Sequence, residues 1–119
     1  MTNTETKTQY NLATRTTTFS CDVINFIKNL IRTPSNEIMI KQLIRSATSI
    51  GANYAEADGA ESKKDFYHKI GICKKESKET MYWLQLVATE NPLAKNAGRG
   101  LWREAHELTL IFSSIIKRK

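Results

Sequence analysis

The side chains able to do chemistry are few and poorly spaced for it. Helical bundles hold paired metal ions when Glu-x-x-His repeats and two further carboxylates point inward together. The nearest pattern here is Asp65-Phe66-Tyr67-His68, and it stands alone. Glu104-Ala105-His106 has the wrong step, because residues two apart on a helix do not face one another. His68 and His106 therefore read as surface or partner-contact side chains. Cys21 and Cys73 have no Cys or His nearby at a zinc spacing and no local nucleophile pattern. Both fall in apolar periodic stretches, so both are expected as reduced, buried small hydrophobes and not as a disulfide. The glycines form no phosphate-cradling loop. A protein without cofactor, metal or catalysis is expected.

The other chemistry on offer is electrostatic. The formal charge of +6 on 119 residues favours acidic partners, of which nucleic acid is the commonest, although plain solubility accounts for the same charge. The cations are grouped. Lys63, Lys64, Lys69, Lys74, Lys75 and Lys78 follow one another with acids interspersed, whereas Lys95, Arg99, Arg103, Lys117, Arg118 and Lys119 face only Glu104 and Glu107 in the last quarter. That last quarter is the better candidate for phosphate contacts, joined by Lys74, Lys75 and Lys78. A solvated basic face, favoured near a helix C-terminus by the helix dipole, fits the same residues.

These groups need elements to position them, and the apolar spacing supplies helices. Hydrophobic residues make up 40% and charged residues 25%, an ordinary globular balance that implies a folded core in one domain. Residues 1–17 are rich in Thr and Asn and read as a flexible polar tail, with the bundle over 18–119. Phe19, Val23, Phe26, Ile27, Leu30 and Ile31 recur at steps of three and four, capped by Ser20 or Thr18, in a helix that should stop near Arg32 because of Pro34. Ser35 or Asn36 caps a second helix over about 36–57, with Ile40, Leu43, Ile44, Ala47, Ile50, Gly51 and Tyr54 on one arc. Gly59 suits a left-handed helix end, and Ser62-Lys63-Lys64-Asp65 resembles a capping box. A third helix from Ser62 to Glu90 carries the clearest seam: Phe66, Ile70, Cys73, Ser77, Thr80, Leu84 and Val87. Asn91-Pro92 closes it, and Leu101, Ala105, Leu108, Phe112 and Ile115 stripe a fourth. Short links make the four an antiparallel up-down-up-down four-helix bundle.

The two middle helices have second faces. Arg45, Ser46, Ser49, Asn53 and Glu56 lie about opposite the apolar arc of the second helix, as a solvated face or as a close-packing or ligand surface. Ile72, Trp83 and Leu86 lie off the seam of the third, beside Tyr82 and Glu79, and are expected to mediate self-association. No apolar run approaches the roughly 20 residues of a membrane span, and the polar start Met1-Thr2-Asn3-Thr4-Glu5 lacks a secretory stretch, so a cytoplasmic protein without membrane contact is expected.

The ordered set Gln42-Leu43-Ile44-Arg45-Ser46, Ser49-Ile50-Gly51-Ala52-Asn53-Tyr54-Ala55-Glu56-Ala57, Lys63-Lys64-Asp65-Phe66, Lys74-Lys75-Glu76-Ser77-Lys78-Glu79-Thr80 and Tyr82-Trp83-Leu84 resembles a bacterial family, the 23S ribosomal RNA intervening-sequence proteins. The resemblance runs over about residues 10–115, with Tyr10-Asn11-Leu12 and Arg15 included. It implies a left-handed bundle assembled as a homopentamer, without known catalysis. A related branch, the accessory variability determinant of diversity-generating retroelements, is similar to a basic pentameric barrel that binds nucleic acid and a reverse transcriptase. The family's characteristic polar residues fall on Arg45, Ser49, Asn53, Glu56 and Glu79, where the resemblance implies helix packing or an intersubunit groove. Arg32-Thr33-Pro34 replaces a more usual Leu-Pro, and the C-terminal quarter is less alike. The expected function is a homo-oligomeric, pentameric scaffold whose basic surface meets RNA or DNA, with or without a protein partner such as a reverse transcriptase; a purely protein-binding adaptor ring is the alternative.

Overall fold

Apolar residues that alternate steps of four and three share one line only on a helix, and a helix with such a line must bury it against others. The structure, a computed structural model, describes residues 4–119, with side chains described from Leu12. Four helices, α1 (Thr4–Ile27), α2 (Pro34–Asp58), α3 (Lys63–Glu90) and α4 (Lys95–Lys117), follow in order, and a 3-10 turn at Pro92–Ala94 leads into α4. Each helix packs on its neighbour in sequence and α4 returns against α1, while the backbones of the diagonal pairs stay apart. This is the up-down arrangement that short links dictate.

The α3 seam is the axis of the core: Ile70, Cys73, Ser77, Thr80, Leu84 and Val87 are buried, and Phe66 half-buried. Facing it are Leu43, Ala47 and Ile50 from α2 and Ala105, Leu108 and Phe112 from α4, all fully enclosed. Truncating Leu108 to Ala is expected to cost about 2–5 kcal/mol, the usual range for a leucine with no exposed surface. The polar members of the seam stay dry because they bond locally: the Ser77 hydroxyl donates to the Cys73 carbonyl at 2.8 Å, and that of Thr80 lies 2.8 Å from the Glu76 carbonyl.

The helix ends follow local chemistry, with three differences from the sequence reading. Thr33 caps α2, accepting from the Asn36 N–H at 3.1 Å, in place of Ser35 or Asn36. The residue before a proline is held extended, as an N-cap must be, and Pro34 then suits the first helical position. Helix α1 ends at Ile27 and not near Arg32, its last turn tightening into bonds from Asn29 N–H to Phe26 O and Leu30 N–H to Ile27 O. Leu30 turns into the core while Ile31 is left exposed. Gly59 ends α2 at φ −97°, ψ 12°, so no left-handed residue is needed there. Ser62 caps α3 as expected, accepting from Asp65 N–H at 3.0 Å.

The largest difference lies before Phe19. Residues 1–3 of the expected polar tail are outside the described residues, but α1 already runs from Thr4, and Leu12 and Thr16 are only 1% exposed. A threonine can serve as a core side chain when its hydroxyl is satisfied within the helix, and that of Thr16 donates to the Leu12 carbonyl at 2.8 Å. Thr16 faces Gly51 of α2, where an added methyl group would stand 3.4 Å from the Thr16 hydroxyl, so the small residue lets the two helices approach.

Candidate nucleic-acid interface

Helix α4 presents three different faces. Its apolar side fills the core through Ala105, Leu108, Phe112 and Ile115. One flank carries Glu104 and Glu107, and both carboxylates are taken by Arg15 of α1. The Arg15 guanidinium forks onto Glu104 at 2.7 and 2.9 Å and reaches Glu107 at 2.8 Å. Two-point geometry of this kind is the strong form of an ion pair, and hydrogen bonding by Glu104 raises the Arg15 pKa above its ordinary value. The two acids that the sequence sets against the C-terminal cations are therefore engaged on the α1 side, where Arg15 balances one of their two negative charges.

The third face, on the α3 side, is basic and aromatic. Lys95, Gly98, Arg99, Trp102 and Arg103 recur at steps of three and four and line a groove of about 730 Å³ whose opposite wall is Leu84, Gln85, Ala88 and Thr89 of α3. Gly98 sits where three helices meet, within 3.5–3.9 Å of Ala88 and the Phe26 ring when a methyl group is added, which brings α4 close to α3. Trp102 is half-buried and stacks on His106, ring centroids 5.1 Å apart and planes 28° off parallel. Lys95, Arg99 and Arg103 are exposed, and among the described residues none of them has an acidic partner.

The other sequence-predicted cations divide. Lys74 and Lys78 lie on the same line of α3 as Met81, Gln85 and Thr89 by helical spacing. Met81 is 3.6 Å from Thr109 of α4, so this line borders the α3–α4 groove. Because the helices are antiparallel, Lys74 and Lys78 flank the C-terminal half of α4, where Lys117 projects, and the basic residues bracket a track on the order of 30 Å long. Lys75 falls on another side, close enough to Glu79 to lower its pKa, and does not join the track. Arg118 and Lys119 follow the end of α4, exposed.

The polar stripe closes on itself between α2 and α3. Arg45 bonds Glu79 and reaches Glu76 at 3.3 Å, and the Trp83 indole N–H donates to Glu79 at 3.0 Å. That indole bond, with Arg45 beside it, holds the Glu79 carboxyl below its ordinary pKa. Lys69 pairs with Glu56 at 2.7 Å, and the Asn53 amide donates to the Ser49 carbonyl at 2.8 Å. Ser46 does not belong to an outer stripe at all: it is fully buried, its hydroxyl 2.9 Å from that of Thr80. Of the side chains expected at an interface, Tyr82 is 57% exposed and packs edge-on against Trp83, while Ile72, Trp83 and Leu86 are half-buried, the last two against the core.

Cys21 is exposed, contrary to the sequence reading, and Cys73 is buried, its thiol pushed up to about 12 by burial and so protonated at neutral pH. Both thiols are free. Among the described residues, no three His, Cys, Asp or Glu side chains gather as metal ligands, and no helix is long and apolar enough to cross a membrane. Sequence reasoning found the cations and read His106 as a surface or partner-contact side chain, but passed over Trp102 and the Arg15 clamp. Trp102 was open to discovery, since an aromatic residue interleaved with Lys95, Arg99 and Arg103 at helical spacing marks a mixed face.

The crystal structure of a protein of unknown function from the S23 ribosomal protein family of Bacteroides thetaiotaomicron resembles this fold with a TM-score of 0.81. The two are 34% identical, over 89% of this chain and 98% of that one. No curated protein matches the chain. Residues 8–114 match the 23S rRNA-intervening sequence proteins, so the match takes in α2 and α3 whole and most of α1 and α4, and the chain belongs to that family.

Proposed function

We propose that this protein is a non-catalytic homo-oligomeric scaffold, a pentamer, that contacts nucleic acid, RNA foremost, through the basic face of α4. The observation that carries the reading is the contrast in pairing. Arg15 occupies the nearby carboxylates, while Lys95, Arg99 and Arg103 stand exposed with no acidic partner among the described residues. Unpaired cations in a row recruit phosphates by releasing counterions. The family's tie to 23S rRNA and its S23 ribosomal relative support RNA as the polyanion. Self-association is supported by Tyr82, exposed on α3 and packed edge-on against Trp83.

A mobility-shift titration with single- and double-stranded RNA and DNA across salt concentrations tests the nucleic-acid half. The logarithm of affinity should fall linearly with log salt, and absence of binding even at low salt defeats it. Light scattering tests the assembly. Tyr82→Glu is the appropriate variant because Trp83 also packs inside the subunit; it should lower the mass to that of a smaller species, and a monomeric unaltered protein contradicts the scaffold.

A further inference from the structure

We propose that the groove between the C-terminal end of α3 and the N-terminal half of α4 is a binding site for an unpaired base of single-stranded nucleic acid, with Trp102 as its stacking platform. The assignment rests on the reading of α4 as a nucleic-acid surface and narrows it from a charged face to one pocket. Four observations converge there. The groove is lined by Trp102, and His106, which is not part of the lining, stacks against the same indole at 5.1 Å and so backs the ring. The volume of about 730 Å³ accommodates a nucleobase with its sugar, within the usual range of small-molecule pockets. Lys95, Arg99 and Arg103 rim it on one helix face, placed for the phosphates on either side of the base. Across from them, the Gln85 side-chain amide has no hydrogen-bond partner among the described residues, and it offers both a donor and an acceptor to a base edge.

A duplex keeps its bases inside the stack, so an indole at the bottom of a groove gains nothing from it. A single strand presents a π-face to any aromatic platform, and the contact tolerates sequence because every base has one. Phosphate contacts alone would not need Trp102 in the lining.

The test compares a short oligothymidylate with a counterpart of equal phosphate count whose internal sugars are abasic, both fluorescently labelled and titrated by anisotropy at one salt concentration. The full-length protein should prefer the base-bearing strand by roughly 5- to 100-fold, the range that loss of one base–aromatic stack produces. Trp102→Ala should erase that preference while leaving salt-dependent binding to both strands, and Trp102→Phe should restore most of it. Equal binding of both strands by the unaltered protein overturns the stacking site and leaves the basic face standing, a readout that needs no variant to fold. A preference that survives in Trp102→Ala overturns it as well. Binding of neither strand at low salt removes the site and the nucleic-acid reading together, in favour of a protein partner.

Discussion

Two clusters of charge and indole lie on opposite sides of α3, and they differ in what is left over. On the α2 side, Arg45 is matched to Glu76 and Glu79, and Trp83 spends its N–H on Glu79, so every strong group has a partner within the subunit. On the α4 side, Arg99 and Arg103 have none among the described residues, and Trp102 borders open space. The first arrangement stabilises a fold; the second lowers its energy only when something anionic arrives. The resemblance implied helix packing or an intersubunit groove at Arg45 and Glu79, and their geometry within the subunit is that of a staple between helices. Partner inventory, more than residue type, separates a structural network from a receptive surface.

Variants on the two sides should therefore behave oppositely. Among variants of these two clusters, the largest effect on folding is expected from Arg45→Ala, which strands Glu76, only 8% exposed, without its cation and should destabilise by about 1–3 kcal/mol in denaturant titrations. A loss within experimental error there would mean that water replaces the pair. Next comes Arg15→Ala, which removes the α1–α4 clamp at a cost of about 1 kcal/mol. The same change removes one positive charge from the Glu104 and Glu107 pair and should weaken oligonucleotide binding a few-fold, roughly the effect of one uncompensated charge of the ligand's own sign nearby. Acidification gives a smaller signal. Glu79 has a depressed folded pKa, so its contribution is complete above the ordinary carboxylate value near 4.5 and drains away as pH falls through the lower folded value. Thermal melts should show that decline, and Glu79→Gln should flatten it. The smallest folding effect belongs to Arg99→Ala with Arg103→Ala, within about 0.5 kcal/mol, as expected of exposed, unpaired positions.

How much of this could be read from the sequence depends on how local each signal is. The α3 seam from Ile70 to Val87 was legible because a strict repeat of four and three leaves no other fold, and Ser62 was legible because its cap is made three residues away. Thr16 was not: composition marks a threonine-rich stretch as polar, while the bond from Thr16 to the Leu12 carbonyl makes it a core residue. Ser46 failed for a related reason, since a wheel assigns it to the outside of α2 only if α3 packs elsewhere; α3 covers it instead through Thr80. The Arg15–Glu104 clamp joins residues at opposite ends of the chain, so no local spacing announces it. The candidate cations were visible as a cluster, but which of them share a track emerged only with the α3–α4 pairing, which keeps Lys74 and Lys78 and discards Lys75.

That last division allows the most direct test. Binding of single-stranded RNA should be followed as a function of salt for the unaltered protein, for Arg99→Ala with Arg103→Ala, and for Lys75→Ala. On a single strand each lost phosphate contact lowers the slope of log affinity against log salt by about 0.7, so the arginine pair should reduce it by about 1.4 while Lys75→Ala leaves it unchanged. Slopes that are the same for all three proteins would contradict the assignment of the α4 face as the nucleic-acid surface.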